Sequence, residues 1–123
     1  MKTSIKTFFA IMAVSLISCV ASAQYKMDGN NLVNSSNSNV GKIESDGRTI
    51  DDEHGSTIAK VDGDGKHISD SHNSTVLVIS GDEIDDSHNS TVGHMSDVTS
   101  SIDGAKEDAA YVALWWFIVK GNH

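Results

Sequence analysis

Three histidines occupy one position of a repeating pattern. His54, His72 and His88 stand 18 and 16 residues apart, each directly before Gly or Asn. Equivalent side chains in an array come to lie in a row or ring, and a row of imidazoles can bind zinc or copper. Against that chemistry, Asn37 takes the same place in the first repeat. Neither a neighbouring Cys nor a His-x-x-x-His pair reinforces the set. The plainer reading leaves each imidazole in an exposed polar turn.

Aspartates accompany the histidines. Asp51-Asp52, Asp70 and Asp85-Asp86 precede the same turns, and Asp62 with Asp64 resembles the opening of a calcium loop. Lys66 then stands where a third ligand is needed, and Asn73 where the closing Glu belongs, so this is not an EF-hand. The stronger reading is structural: Asp and Asn side chains accept from nearby backbone N–H groups and close Asx-turns. Nucleophilic chemistry has less support. No Ser lies in Gly-x-Ser-x-Gly and no Cys–His pair is present. A small glycan hydrolase would need two facing carboxylates in a cleft, for which a domain this small has little room. Asn73-Ser74-Thr75 and Asn89-Ser90-Thr91 match the N-glycosylation pattern but read better as turn followed by strand. No catalytic, cofactor-binding or metal-binding residue is assigned.

The elements that carry these turns come from a repeat. Ser71-His72-Asn73-Ser74-Thr75-Val76 returns as Ser87-His88-Asn89-Ser90-Thr91-Val92, with weaker copies at Glu53–Ile58 and Ser36–Val40. Three apolar rows keep the same spacing: Val40, Ile58, Val76, Val92; Leu32, Ile50, Ile68, Ile84; and Ile43, Val61, Ile79, Met95. Each unit has a second turn at Asp28-Gly29, Asp46-Gly47, Asp62 to Gly65 or Gly81-Asp82, where Asx-Gly pairs favour tight hairpins. Short Ile-, Val- and Thr-rich strands lie between the turns, as in Thr57–Val61. A lone hairpin is marginal in water, so the units must share one core. No stretch carries an amphipathic helical pattern for long enough to compete. The expectation is an all-β fold of short hairpins in 16–18-residue units, closed around a pseudo-symmetric axis. A β-solenoid is the alternative. Ala109 to Val119 is almost wholly apolar and reads as a strand buried on both faces. A membrane-barrel strand competes, but the upstream strands are too short to span.

The unit approximates Ile-Asp-Gly-x-x-Ile-x-Asp-Ser-x-Asn-x-Thr-Ile-Gly and ends in an aromatic run. Val61-Asp62-Gly63, Ile68 to Val76, Ile84 to Gly93 and Trp115-Trp116-Phe117 carry it. In these residues the chain resembles the five-fold beta-flower proteins, small exported proteins of Bacteroidetes-type bacteria. That resemblance implies hairpin petals around an axis and no catalytic residue set. Leu77-Val78 replaces the Gly expected after Val76, and Asp97 to Asp108 fits the unit poorly.

The N-terminus predicts export. Lys2 and Lys6 precede an apolar run from Phe8 to Ile17, and Ala21-Ser22-Ala23 offers a cleavage site before Gln24. Residues 1–23 are thus expected to be a signal peptide and 24–123 a single repeat β domain, periplasmic or secreted. Leu16-Ile17-Ser18-Cys19 also matches a lipobox, so the alternative is a lipoprotein anchored through Cys19. Membrane contact is expected only in that case. The formal net charge is −8, and all 17 acidic residues follow Gln24. There is no basic footprint for nucleic acid. The reading is a non-enzymatic exported protein of structural or binding type with an envelope or extracellular partner and no cofactor. Metal binding through the turn His and Asp residues, or glycan hydrolysis, are the alternatives.

Overall fold

The computed structural model describes residues 24–122. The expected signal peptide, its cleavage site and Cys19 lie outside the described residues. Within them, the turns reverse the chain where the sequence places them. The strands are β1 (Tyr25–Asp28), β2 (Asn31–Val33), β3 (Asn39–Ile43), β4 (Thr49–Asp52), β5 (Thr57–Val61), β6 (His67–Asp70), β7 (Thr75–Ser80), β8 (Glu83–Asp86) and β9 (Thr91–His94). Each is antiparallel to the next. Helix α1 (Met95–Ser101) follows, then β10 (Ile102–Asp103), which pairs with β1 in parallel. All ten strands form one sheet, in the order β10-β1-β2-β3-β4-β5-β6-β7-β8-β9.

The expected all-β fold of repeated hairpins is borne out. Neighbouring strands are hairpin-paired, so the coils of a solenoid are not formed. Closure differs from expectation, because β9 and β10 are not paired and the sheet stays open. An even run of alternating strands would bring β10 antiparallel to β1. Instead α1 carries the chain back along the sheet before β10 begins, and β10 runs with β1. Helix α1 packs on β9 and β10, where the missing hydrogen bonds would be.

The apolar C-terminal run corrects a second expectation. It is not a strand. Helix α2 (Ala109–Leu114) continues into a π-helical turn at Trp115–Val119, closed by Lys120 N–H donating to the Trp115 carbonyl at 2.8 Å. Asp108 caps its start by accepting from Ala110 N–H. Ala109, Ala110, Val112, Ala113, Leu114, Trp115 and Phe117 are all buried, so apolar residues surround the helix rather than striping it. It contacts β3, β4, β5 and β6. The repeats wrap a helix, which supplies the aromatic volume their aliphatic rows lack.

The rows line that wrapping. Leu32, Ile50, Ile68 and Ile84 are fully buried. Ile43, Val61, Ile79 and Met95 are nearly so, and each donates its backbone N–H at 2.9 Å to a carbonyl of the preceding unit's turn: Asn30, Arg48, Lys66 and Asp82. These bonds stitch each unit to its neighbour. Opposite the fully buried row stand Gly41, Ala59, Leu77 and Gly93. Their sizes follow the helix. A Cβ on Gly41 would collide with the tip of Ile118, and one on Gly93 would lie 2.5 Å from Cη2 of Trp115. The absence of a side chain at Gly93 makes room for the Trp115 ring, and at Gly41 for the flexible tip of Ile118.

Candidate functional site

The histidine turns form one end of the wrapped sheet. They are four copies of one local structure. Asn34, Asp52, Asp70 and Asp86 each use Oδ1 to accept from the backbone N–H two and four residues on, at 2.8–3.1 Å. Three residues after each, Asn37, Gly55, Asn73 and Asn89 hold positive φ, between 64° and 81°; Ser36, not Asn37 as the sequence suggests, therefore takes the histidine's place in the first unit. Each turn is therefore an Asx-closed reversal ending in a left-handed residue, and a register shift follows in the paired strands. The backbone bonds hold the Asp70 and Asp86 carboxyls below the ordinary carboxylate range.

The Asp-Gly turns form the opposite end. Asp46 accepts from the N–H groups of Arg48 and Thr49 and from the Thr49 hydroxyl. Asp64 accepts from the N–H groups of Lys66 and His67, with His67 Nδ1 at 2.6 Å from its second oxygen. The same bonds lower both carboxyls to about 2. The structural reading of Asp62-Gly63-Asp64 is thus borne out, since the Asp64 carboxylate is spent on its own turn. These groups give the fold a defined acid response. A carboxyl with a depressed folded pKa stabilises above its unfolded value and loses that stabilisation as pH falls through the folded value. Urea melts should therefore show the midpoint falling between about pH 4 and pH 2, from the ordinary and lowered values of Asp46 and Asp64. Asp46→Asn with Asp64→Asn should shrink that fall, Asp70 and Asp86 keeping their share; an unchanged profile in the double variant would reject the assignment. Glu44 acts the other way: its hydrogen bond with the Asp51 carboxyl, followed by desolvation, raises it.

The turn histidines do not converge. His54, His72 and His88 are exposed on separate turns. Among the described residues no three His, Cys, Asp or Glu side chains come together as a metal ion would require. Asp51 is buried against the Thr57 hydroxyl at 3.1 Å, and Asp85 holds Thr91 in the same way at 3.0 Å. These two bind strand to strand.

What the structure does bring together is apolar. Val40, Ile58, Val76 and Val92, the row nearest the histidine turns, are only half-buried. The C-terminal helix ends among them, leaving Trp116, Ile118 and Val119 half-buried as well. Two clefts result. One, of about 390 Å³, lies between Tyr25, Val40, the Asp52–His54 turn and Ile118. The other, of about 340 Å³, lies between Ile58, the Asp70–His72 turn, Val76, Trp116, Phe117 and Asn122. Each has aliphatic walls, an aromatic ring, and a turn that brings one Asp and one His. At the opposite end, a cleft of about 550 Å³ lies beside the helix start, where Lys66 and Lys106 alternate with Asp64, Glu107 and Asp108. Reading the sequence missed the half-buried clefts because it placed Trp116 in a strand. The signal present was the repeat itself, which puts a valine or isoleucine beside every histidine turn.

With this geometry the chain falls in the class of repeat β proteins whose hairpins enclose a helix. Comparison with family models finds no match, and comparison with curated proteins and with solved structures finds none either.

Proposed function

We propose that this chain is an exported, non-enzymatic binding protein of the bacterial cell envelope, and that its histidine-turn end is the binding face. The observation that carries this reading is an asymmetry between the two ends. The row at the Asp-Gly end, Ile43, Val61, Ile79 and Met95, is no more than 8% exposed. The row at the histidine end is only half-buried, together with Trp116 and Ile118. Apolar surface clustered at one end of a small acidic domain fits a contact site. Support for export comes from Lys2, the Phe8–Ile17 run and Ala21-Ser22-Ala23. The beta-flower resemblance of the repeats agrees with a scaffold that presents equivalent turns rather than a catalytic constellation.

Sedimentation with isolated bacterial envelopes tests the face. Wild-type protein should pellet with the envelopes. Ile58→Ser with Val76→Ser should lower the pelleted fraction several-fold, whereas Asp82→Asn at the opposite end should leave it unchanged. Equal pelleting of all three proteins, or none of wild type, would overturn the proposal.

A further inference from the structure

Resting on that binding face, we propose that the cleft between Ile58, Val76 and Trp116 is a saccharide site, selective for neutral sugars. A sugar ring is amphipathic, with C–H groups on its faces and hydroxyls on its edge. A site for it needs an aromatic or aliphatic platform and hydrogen-bond acceptors at the rim. The cleft supplies both. Trp116 is half-buried and lines the cleft, with its ring tilted 44° against that of Trp115 and the centroids 6.1 Å apart. Ile58 and Val76 are half-buried walls. At the rim stand Asp70, His72 and Asn122.

Asp70 is suited to accept from sugar hydroxyls. Both of its backbone bonds, from His72 and Ser74, fall on Oδ1, so Oδ2 keeps its acceptor capacity. The turn also holds it rigidly, which lowers the ordering cost of binding. A volume of about 340 Å³ lies within the size range of small-ligand sites. The carboxylate sets the selectivity, because an acidic sugar would place like charges together at the rim. The neighbouring cleft is lined in a similar way, by Tyr25, Val40, the Asp52–His54 turn and Ile118. Two such clefts on one end suit a glycan chain, whose repeating units can engage both.

Indole fluorescence and calorimetric titration of the purified protein test the proposal. The probes are maltotriose, cellotriose and chitotriose as neutral sugars, with trigalacturonate as the acidic control. At least one neutral trisaccharide should shift the indole emission and give saturable heat. Trigalacturonate should bind at least about tenfold more weakly, the effect of one unfavourable charge contact. Asp70→Asn should weaken binding about tenfold by removing the charge from the hydrogen bond. That variant keeps the turn, since Asn34 accepts the same two N–H bonds in the first unit. Trp116→Leu should abolish the heat, with circular dichroism confirming its fold. Silence with all three neutral sugars overturns the saccharide assignment, even where envelope sedimentation still depends on Ile58 and Val76; in that case the face holds another ligand. Binding unaffected by Asp70→Asn overturns it equally.

Discussion

Trp115→Ala is expected to unfold this protein or bring it to the edge of unfolding. Trp115 is 3% exposed and sits at the junction of α2 with its π turn. Its ring packs on the backbone at Gly93, against Trp116, and under Lys120 Nζ, which lies 5.4 Å from the ring centroid. Truncating a buried Trp costs about 3–5 kcal/mol in lost transfer energy and residual cavity. A domain of this size has a total stability of about 5–15 kcal/mol. The loss is larger still when the chain is cut after Ala110. Val112, Leu114, Trp115 and Phe117 then leave the axis, and Leu32, Ile50, Ile68 and Ile84 face an empty centre. That variant should aggregate or show no cooperative urea transition. His72→Ala is the contrast, because its exposed side chain should change stability by well under about 1 kcal/mol. A cooperative transition at the wild-type midpoint after the cut would show that the hairpins close without the helix, and the enclosed-helix account would be wrong.

Gly93→Leu should be nearly as damaging, for the opposite reason. Gly93 has no positive φ, so the backbone itself accepts a side chain. The obstacle is Trp115, whose Cη2 and Cζ2 lie 2.5 Å and 3.2 Å from the place of a Cβ. The indole is enclosed and cannot swing away. Overpacking of this kind costs about 1–3 kcal/mol or more. Leu77 holds the equivalent position in the neighbouring unit, so leucine is compatible with the strand. A smaller helix residue should therefore restore part of the loss. Trp115→Leu in the Gly93→Leu background is expected to be more stable than the sum of the two single changes, by about 0.5–3 kcal/mol of coupling. Strict additivity in urea melts of the four proteins would separate the two residues and refute the contact. Gly41→Ala should be milder, since it meets the flexible end of Ile118.

Much of the fold is legible in the chain because much of it is local. The Asx-turns close with bonds two and four residues along, so Asp70-Ser71-His72-Asn73-Ser74 carries its own reversal wherever it is placed. The rows Leu32–Ile84 and Ile43–Met95 follow from the repeat spacing, and they are the buried rows. The helix was illegible for a physical reason. Eleven apolar residues without periodicity describe a strand covered on both faces and a helix covered all round equally well. Two signals did favour the helix: Asp108 as N-cap, and Gly121, with φ of 75°, beyond the end. The alanines at 109, 110 and 113 add a third. Helix α1 had weaker marks, with Asp97 accepting from the His94 N–H at its start as the only strong one.

The sequence by itself determined the hairpins, their turns and their inward rows, because these depend on neighbours a few residues away and on a spacing that repeats. Only the tertiary structure decided what fills the centre, where the sheet stays open, and which end keeps apolar surface. Those outcomes depend on how far α2 runs along the axis. It ends beside the histidine turns with Trp116 and Ile118 half-covered, and it passes close to the sheet at Gly41 and Gly93. Contacts between residues 118 and 41, or 115 and 93, are set by the packing of the helix against the whole sheet, and no local pattern encodes them.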